Sequence, residues 1–264
     1  MNTKPIRKLD PIMERILNNK TAFVTGGGQG IGRGIALKLA EAGADIVIAQ
    51  RNQETAKNVV GEIQLMGRKA TAMYIDVTDS RSVTRCIKMT LKTNNQIDIL
   101  VNNSGIHSES ISRISEISDF EKCFNVNLFG VWRVTKELLS HFIVCKTGKI
   151  INIASIDGRR PWAHAPAYSA SKAALINLTQ STAQILGKYN INVNAICPGG
   201  IITNIASSYA NDLDNIETTI IQERAIKRPI TAEDIGNAAV FLASHQSKNI
   251  TGQSLNIDCG ASMN

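Results

Sequence analysis

Short apolar runs alternate along the chain with longer stretches whose apolar positions recur every three or four residues. The short runs are rich in valine, isoleucine and alanine, which is typical of buried strands, and the longer period is that of helices packed on a core. The pattern predicts strands at 21–25, 45–49, 70–75, 97–101, 149–154, 192–196 and 254–257, and helices at 31–42, 54–66, 80–92, 118–144, 165–186 and 232–243.

This alternation predicts an α/β fold, a single-domain Rossmann-type doubly wound parallel sheet of about seven strands with helices on both faces. No repeat or low-complexity linker divides residues 20–264, which we therefore expect to form one domain. Residues 1–19 are predicted to be an extension, poorly ordered at first and then a short helix with Ile12, Ile16 and Leu17 on one face. Residues 200–229 lack a strong apolar period, so we predict a lid there.

Composition and charge argue against several kinds of protein. The net charge of +7 comes partly from a basic N-terminal segment, so the remainder does not demand a nucleic-acid surface. No apolar run approaches the roughly 18 residues of a membrane span, and the chain does not open on a signal-peptide pattern. The cysteines lack a C-x-x-C pair and the histidines lack H-x-x-x-H spacing, which argues against a metal site. We expect a cytoplasmic protein with reduced thiols and no nucleic-acid, membrane or metal partner.

A glycine-rich segment follows the first predicted strand and opens the first predicted helix. Its sequence is Thr25-Gly26-Gly27-Gly28-Gln29-Gly30-Ile31-Gly32. Glycines at such a junction allow a tight turn and let backbone N–H groups approach a pyrophosphate at the helix N-terminus. The order of strand, glycine loop and helix therefore predicts a dinucleotide site.

Tyr168 and Lys172 lie four residues apart on a predicted helix, one turn from each other. A nearby ammonium favours the phenolate, which allows a tyrosine to exchange protons well below its usual pKa of about 10. The spacing alone is common on amphipathic helices, so an acid/base role for Tyr168 depends on the other motifs of the chain.

These motifs resemble those of the short-chain dehydrogenase/reductase family, and in particular of members similar to 3-oxoacyl-[acyl-carrier-protein] reductases. The glycine spacing Thr-Gly-x-x-x-Gly-x-Gly is that of the family, and further matches follow in family order over residues 20–260. The matching positions are Asn102-Asn103-Ser104-Gly105 (serine replaces the family's alanine), Asn127, Ser155, Tyr168, Lys172, the turn Pro198-Gly199, and Thr203.

The resemblance implies an enzyme with four catalytic residues. Lys172 would bind the nicotinamide ribose and, together with the cationic nicotinamide ring of the oxidised cofactor, lower the pKa of Tyr168, which would exchange a proton with the carbonyl or hydroxyl oxygen of the substrate. Ser155 would hydrogen-bond the same oxygen. Asn127 would hold a water that links Lys172 to solvent.

The resemblance also assigns cofactor contacts. An acidic residue at the end of the second strand would repel a 2′-phosphate, but Gln50 stands there and Arg51 follows, so we predict NADP(H) over NAD(H). The expected cofactor-binding residues are Gly26, Gln29, Gly30, Ile31, Arg51, Asn52, Asp76, Val77, Asn102, Gly105, Tyr168, Lys172, Pro198, Gly199, Ile201 and Thr203.

One departure from the family pattern lies near the C-terminus. Asp258-Cys259-Gly260 resembles the family's Asp-Gly-Gly turn with cysteine in the middle. A middle residue that needs a positive φ would be strained. We expect Cys259 to be a buried or interface thiol and not a nucleophile.

The expected reaction is reduction of a ketone to a secondary alcohol, with 3-oxoacyl thioesters as the leading substrate class. Arg159, Arg160 and His164 would give a basic rim suited to a carrier-linked acyl chain, within a pocket formed by residues 106–110, 156–165 and 200–229. The alternatives are a sugar, polyol or other small-alcohol dehydrogenase, and a non-catalytic NADP-binding sensor. The family resemblance further implies a homotetramer through the helices of Asn127 and Tyr168, with a dimer as the alternative.

Overall fold

The computed structural model describes residues 15–94, 96–107, 116–161, 165–201 and 220–263. Several predictions fall outside these ranges and are not tested by them. They concern Ile12, residues 108–110, residues 162–164, Thr203 and most of the segment 200–229.

A seven-stranded sheet, whose neighbouring strands all pair in parallel, forms the centre of the described chain. The strand order is β3-β2-β1-β4-β5-β6-β7, which confirms the predicted doubly wound sheet. The strands are β1 Thr21–Thr25, β2 Asp45–Gln50, β3 Ala70–Tyr74, β4 Ile99–Asn102, β5 Gly148–Ile153, β6 Ile191–Pro198 and β7 Ser254–Ile257.

Helices cover both faces of this sheet. They are α1 Gly30–Glu41, α2 Gln53–Leu65, α3 Ser80–Asn94, α4 Ile117–Phe124, α5 Val131–Cys145, α6 Pro166–Leu186 and α7 Ala232–Ala243. Consecutive strand residues point to opposite faces, so Val24 packs in a cluster with Ile35 of α1, whereas Phe23 packs in another with Leu138 of α5. No helix among the described residues is long and apolar enough to cross a membrane.

The segment predicted as one helix over 118–144 is helical from Ile117 to Cys145 but not uniformly so. Residues Asn125–Gly130 form a π-helical turn between α4 and α5. Such turns hold one extra residue and are frequent at functional sites. The predicted site residue Asn127 lies in the middle of this turn.

The start of the described chain is held against the domain. Leu17 is 1% exposed, packs in the same cluster as Val24, and its N–H donates to the carbonyl of Ala42 at 2.9 Å. Ile16 is 51% exposed, and residues 16–19 form a turn. The described end of the predicted N-terminal helix is therefore a turn anchored by a single apolar side chain.

Candidate active site

A cavity of about 1220 Å³ opens at the carboxyl ends of the strands, where the strand order reverses between β1 and β4. Open α/β sheets bind ligands at this position. The volume exceeds the roughly 300–1,000 Å³ that is usual for one small ligand. It is lined by the glycine loop, by the ends of β2 to β6 and by residues 220, 223 and 224.

The glycine loop forms one end of this cavity and is shaped for a phosphate group. Gly26 and Gly30 have φ of 65° and 52°, and a Cβ on Gly32 would lie 2.1 Å from the carbonyl oxygen of Gly26. The N-cap of α1, Gln29, makes no side-chain cap, so the first N–H groups of the helix remain available. These features fit the pyrophosphate of a dinucleotide, and the predicted residues Gly26, Gln29, Gly30 and Ile31 line the cavity.

The loop after β4 is tied to the glycine loop. Asn103 donates from its side chain to the carbonyls of Thr25 and Gly26, at 3.1 and 2.9 Å. The Thr25 hydroxyl accepts from the N–H groups of Asn103 and Ser104, both at 3.0 Å. Through these bonds Gly105, which lines the cavity, is positioned relative to the glycine loop.

Asn102 has a different position from the other predicted cofactor residues. Its side chain is buried beneath the cavity and donates to Thr135 at 3.1 Å and to Asn152 at 2.9 Å. Asn152 in turn donates to Thr179 of α6 at 2.9 Å. The side chain of Asn102 therefore links the sheet to helices on one face, and it is not part of the cavity wall.

The end of the cavity formed by the glycine loop also includes the end of β2, which contributes no carboxylate there. The Gln50 side chain accepts from the N–H of Gly28 at 2.7 Å and donates to the carbonyl of Asn52 at 2.6 Å. Arg51 is exposed at the cavity wall beside Asn52. Gln50 was named from the sequence only as the replacement for an acid, and the structure shows that it also holds the glycine loop.

Asp76 and Val77 line the same end, as predicted from the motif after β3. The Asp76 carboxylate accepts from the Thr78 hydroxyl at 2.7 Å and from the Thr78 N–H at 2.9 Å. These bonds lower the pKa of Asp76 despite partial burial, and the charges of Arg51 and Arg133 lower it further. This carboxylate is therefore ionised at neutral pH.

Asn127 is fully buried under the cavity and does not line it. Its side chain pairs with the backbone of Ile106, accepting from the N–H at 2.8 Å and donating to the carbonyl at 2.9 Å. It also donates to the Ser171 hydroxyl at 3.0 Å, which donates to the carbonyl of Tyr168 at 2.7 Å. The π-helical turn thus connects the β4 loop to the helix that carries Tyr168.

Lys172 lies at the bottom of the cavity and is 4% exposed. Its ammonium donates to the carbonyl of Ile153 at 2.8 Å and lies 5.6 Å from the centre of the Tyr168 ring. Burial lowers the pKa of Lys172 to about 8. The ammonium of Lys172 is therefore mostly charged at neutral pH and loses its proton as the pH rises past about 8.

Tyr168 and Ser155 line the cavity above Lys172. Burial raises the pKa of Tyr168, the charge of Asp157 raises it further, and a hydrogen bond with the Ser155 hydroxyl lowers it. Ser155 also caps the short 3₁₀ helix Ile156–Gly158, accepting from the N–H of Asp157 at 3.1 Å. In the protein without ligands Tyr168 is thus a protonated phenol.

Two polar residues beside Tyr168 lie within the segments predicted to form the substrate pocket, although the sequence assigned neither of them a role of its own. The His107 ring lies 4.5 Å from the Tyr168 ring, centre to centre, at an interplanar angle of 31°. Asp157 follows Ser155 by two residues, and both Asp157 and His107 line the cavity. In the sequence, both residues stand next to a motif that matches the family, but neither motif gives them a role.

The predicted basic rim is only partly built as expected. Arg160 lines the cavity mouth but forms an ion pair with Glu223 at 2.9 Å, with both side chains about half exposed. Arg159 donates to the carbonyl of Ser254 in β7 at 2.7 Å and does not line the cavity. Within the described residues, the predicted basic rim therefore contains an arginine paired with a glutamate and is not a surface of positive charge.

The nicotinamide end predicted at Pro198-Gly199 lines the cavity, together with Gly200 and Ile201. Arg224, in the described part of the predicted lid, donates from its guanidinium to the carbonyls of Gly200 and Arg228. Cys259 has a φ of 55°, so a non-glycine residue holds the left-handed conformation at this turn, and it is half-buried. The Cys259 carbonyl accepts from the N–H of Ile226 at 3.0 Å and so holds the last part of the predicted lid.

Known proteins resemble this chain over most of its length. A family model described as enoyl-(acyl carrier protein) reductase matches residues 26–262. The chain belongs to the short-chain dehydrogenase/reductase family. It is 34% identical to the 3-oxoacyl-[acyl-carrier-protein] reductase FabG of Chlamydia pneumoniae, over 94% of this chain and 99% of that protein.

Solved structures of dehydrogenases share the same fold. A 7α-hydroxysteroid dehydrogenase in complex with NADH and 7-oxo glycochenodeoxycholic acid superposes with a TM-score of 0.88 and 31% identity, over 95% of this chain and 98% of that one. A protein of Agrobacterium tumefaciens described as a gluconate dehydrogenase gives a TM-score of 0.89 and 28% identity, over 94% and 97%. As a short-chain dehydrogenase/reductase, this chain is an oxidoreductase that acts on CH–OH or C=O groups with a nicotinamide cofactor.

Proposed function

We propose that this short-chain dehydrogenase/reductase interconverts a ketone and a secondary alcohol with NADP(H), and that Tyr168 is the general acid/base. The observation that carries the proposal is that Tyr168, Ser155 and Lys172 line the same cavity as the glycine loop. A phenol, a hydroxyl and an ammonium that converge at the wall of a dinucleotide cavity are the groups that carbonyl reduction requires.

Each residue has a separate task in this proposal. Tyr168, a phenol in the free protein because burial raises its pKa, gives its proton to the carbonyl oxygen during reduction and takes it back during oxidation. Lys172 stabilises the phenolate that this transfer leaves. Asn127 holds Ile106 and the Tyr168 helix in register. The nicotinamide cofactor, when bound, supplies or accepts the hydride.

The experiment for this proposal is Tyr168→Phe, assayed by NADPH oxidation with an accepted ketone. Loss of the acid should lower kcat by at least about 100-fold, while NADPH affinity changes little. Survival of ketone reduction within about threefold would contradict the mechanism. A non-catalytic NADP-binding sensor, the remaining alternative, would bind NADPH but reduce no carbonyl in wild-type form.

The preference for NADP(H) rests on the end of β2. Gln50 is neutral and engaged with Gly28 and Asn52, and Arg51 is the cation nearest in sequence to this end. A guanidinium can bind a 2′-phosphate, and the absence of a carboxylate at the carboxyl end of β2 removes the group that would repel it. The expected result is a higher kcat/KM with NADPH than with NADH. The reverse order would contradict the preference.

Two substrate classes follow from different observations. Similarity to 3-oxoacyl-[acyl-carrier-protein] reductases supports 3-oxoacyl thioesters, including carrier-linked ones. The polar wall beside Tyr168, formed by His107 and Asp157, supports the second class, sugars, polyols and other small hydroxylated alcohols. A screen of acetoacetyl-coenzyme A, diketones, ketoses and cyclic ketones with NADPH separates the two classes.

We also propose a homotetramer. Large apolar side chains are exposed on the helical surface around the π-helical turn and on α6, among them Phe129 at 51% and Ile185 at 60%. Contiguous exposed apolar patches mark interaction sites, and we propose that another copy of the chain covers these side chains. Light scattering should give a mass of four chains, or of two for the dimer alternative. A monomer mass would contradict the proposal.

A further inference from the structure

A carboxylate and an imidazole flank the predicted acid/base tyrosine, and the proposed reaction uses neither. Asp157 and His107 come from loops that are distant in sequence, and both line the cavity beside Tyr168. A purely structural role would not require either side chain to face the substrate end of the cavity. The carboxylate of Asp157 is therefore available to a substrate, and the His107 ring forms part of the cavity wall beside Tyr168.

Asp157 has acceptor capacity that the protein does not use. Its side chain is half-buried, and it forms no ion pair within 4.0 Å with any residue in the described ranges. Burial raises the pKa of Asp157, whereas the Ser155 hydroxyl, through a hydrogen bond, and the charges of His107, Arg160 and Lys172 lower it. A carboxylate can accept about four hydrogen bonds, and Ser155 supplies one.

The hydrogen bond from Ser155 to Asp157 has a consequence for the reaction. A hydroxyl carries one proton, and an ionised carboxylate only accepts. While Ser155 donates to Asp157, its single proton is not available to the carbonyl oxygen of a substrate. Another donor at Asp157 would release the proton of Ser155 for that oxygen.

We propose that Asp157 and His107 bind a hydroxyl group on the carbon next to the reacting carbon, so that the substrate is an α-hydroxy ketone or, in oxidation, a vicinal diol. The hydroxyl donates to Asp157, and the His107 ring contacts it from the side of Tyr168. This inference rests on the proposed ketone reduction. Of the two proposed substrate classes, 3-oxoacyl thioesters and small hydroxylated alcohols, it selects the second.

The size of the expected discrimination follows from desolvation. A ketone with only hydrocarbon at this position would cover an acceptor without giving it a donor, which costs free energy. A site built to hydrogen-bond a substrate hydroxyl discriminates strongly against the analogue that lacks it. The hydroxyl also frees Ser155, so the difference should appear in kcat as well as in KM.

The test compares 1-hydroxybutan-2-one with butan-2-one, which differ by a single hydroxyl group, using NADPH and the full chain. For wild type, kcat/KM should be at least about 100-fold higher for the hydroxy ketone. Asp157→Leu should lower the value for the hydroxy ketone by about 30-fold. For butan-2-one the same variant should keep or raise its rate, because Ser155 loses its competing acceptor. His107→Phe keeps the aromatic contact and should reduce the preference by about tenfold.

The matched control is Glu121→Gln, which removes an exposed carboxylate on α4 and should leave the preference unchanged. Equal losses for both ketones in Asp157→Leu would indicate a structural role and overturn the inference. A wild-type preference below about threefold would also overturn it. Reduction of acetoacetyl-coenzyme A without reduction of 1-hydroxybutan-2-one would overturn the inference and leave the proposed function intact.

A binding measurement covers the case in which no carbonyl is reduced, which would refute the proposed function. Calorimetric titrations of butane-2,3-diol and butan-2-ol into the protein saturated with NADP⁺ report on the hydroxyl site without turnover. Tighter binding of the diol in wild type, lost in Asp157→Leu, supports the site. Equal binding of the two alcohols in wild type overturns it.

Discussion

The cofactor end and the substrate end of the cavity are built from different parts of the polypeptide. At the cofactor end, backbone groups of the glycine loop approach each other closely and are held by Asn103 and Gln50. At the substrate end, side chains from three separate loops meet, namely His107, Asp157 and the pair Arg160–Glu223. Substitutions that add volume should therefore do most damage at the first end, and substitutions that change charge should alter preference at the second.

The largest effect is expected from Gly32→Ala at the cofactor end. The new Cβ would lie 2.1 Å from the carbonyl oxygen of Gly26 and 2.4 Å from Nδ2 of Asn103, so the loop must move. A displacement of this kind should weaken NADPH binding by at least about 100-fold, measured by fluorescence titration.

The control for this substitution is Gly61→Ala in α2. A Cβ there would meet no described atom within 4 Å, so NADPH affinity should stay within about twofold and stability should rise by up to about 1 kcal/mol. Near-normal binding by Gly32→Ala would show that the close backbone approach is not what forms the cofactor end.

Lys172→Met should have the next largest effect, where the two ends meet. Loss of the ammonium should lower kcat by about 100-fold and remove the fall in kcat/KM for ketone reduction that we expect as the pH passes about 8 in wild type. The pH profiles of both proteins check this, and a wild-type profile without a break near pH 8 would contradict it.

The same lysine links pH to stability. The folded chain has a pKa of about 8 at Lys172 against 10.5 for the exposed group, so between these values the unfolded chain binds more protons. Wild type should therefore gain stability relative to Lys172→Met as pH rises from 8 towards 10.5, by up to about 3 kcal/mol. Urea unfolding at several pH values measures this difference, and a pH-independent difference would contradict the assigned pKa.

A moderate effect is expected from Arg51→Gln at the outer part of the cofactor end. Loss of the cation should reduce the ratio of kcat/KM for NADPH to that for NADH by about tenfold. Arg81→Gln on α3, another exposed arginine, should leave the ratio unchanged. Equal ratios in wild type and Arg51→Gln would exclude Arg51 from recognition of the 2′-phosphate.

The smallest effect is expected from Arg160→Gln at the substrate end. Its ion pair with Glu223 is half exposed and so worth less than about 1 kcal/mol in stability. Substrate KM should change by no more than about threefold. A change above tenfold in the KM of an anionic substrate would indicate that Arg160 contacts the substrate directly.

Much of the cofactor end could be predicted from the sequence because its chemistry depends on local motifs. The glycine loop must join a strand to a helix, and Tyr168 and Lys172 must share a helix face, so spacing alone carries the geometry. The strands followed from apolar runs for the same reason. The motif that names Asn102 does not say which face of the strand its side chain occupies. Asn102 lies on the same face as Leu100, two residues earlier, and therefore against α5.

The substrate end could not be predicted in the same way. His107 and Asp157 meet at Tyr168 because the β4 and β5 loops lie at the same edge of the sheet, which no short spacing in the sequence encodes. The π-helical turn could not be predicted from the sequence either, because the apolar period over 118–144 is compatible with an unbroken α-helix. Arg160 pairs with Glu223, which lies on a different loop. Counting the formal charges of one loop therefore overestimated the positive charge of the rim.

The π-helical turn makes the length of this segment as important as its composition. Each residue of an α-helix rotates the following chain by about 100°, so the extra residue in Asn125–Gly130 sets the angular offset between α4 and α5. Deleting one residue there would give a more regular helix but turn Val134, Leu138 and Phe142 away from the core cluster in which they pack. Because of this extra residue, α4 contacts α6 while α5, which continues from it, contacts α3.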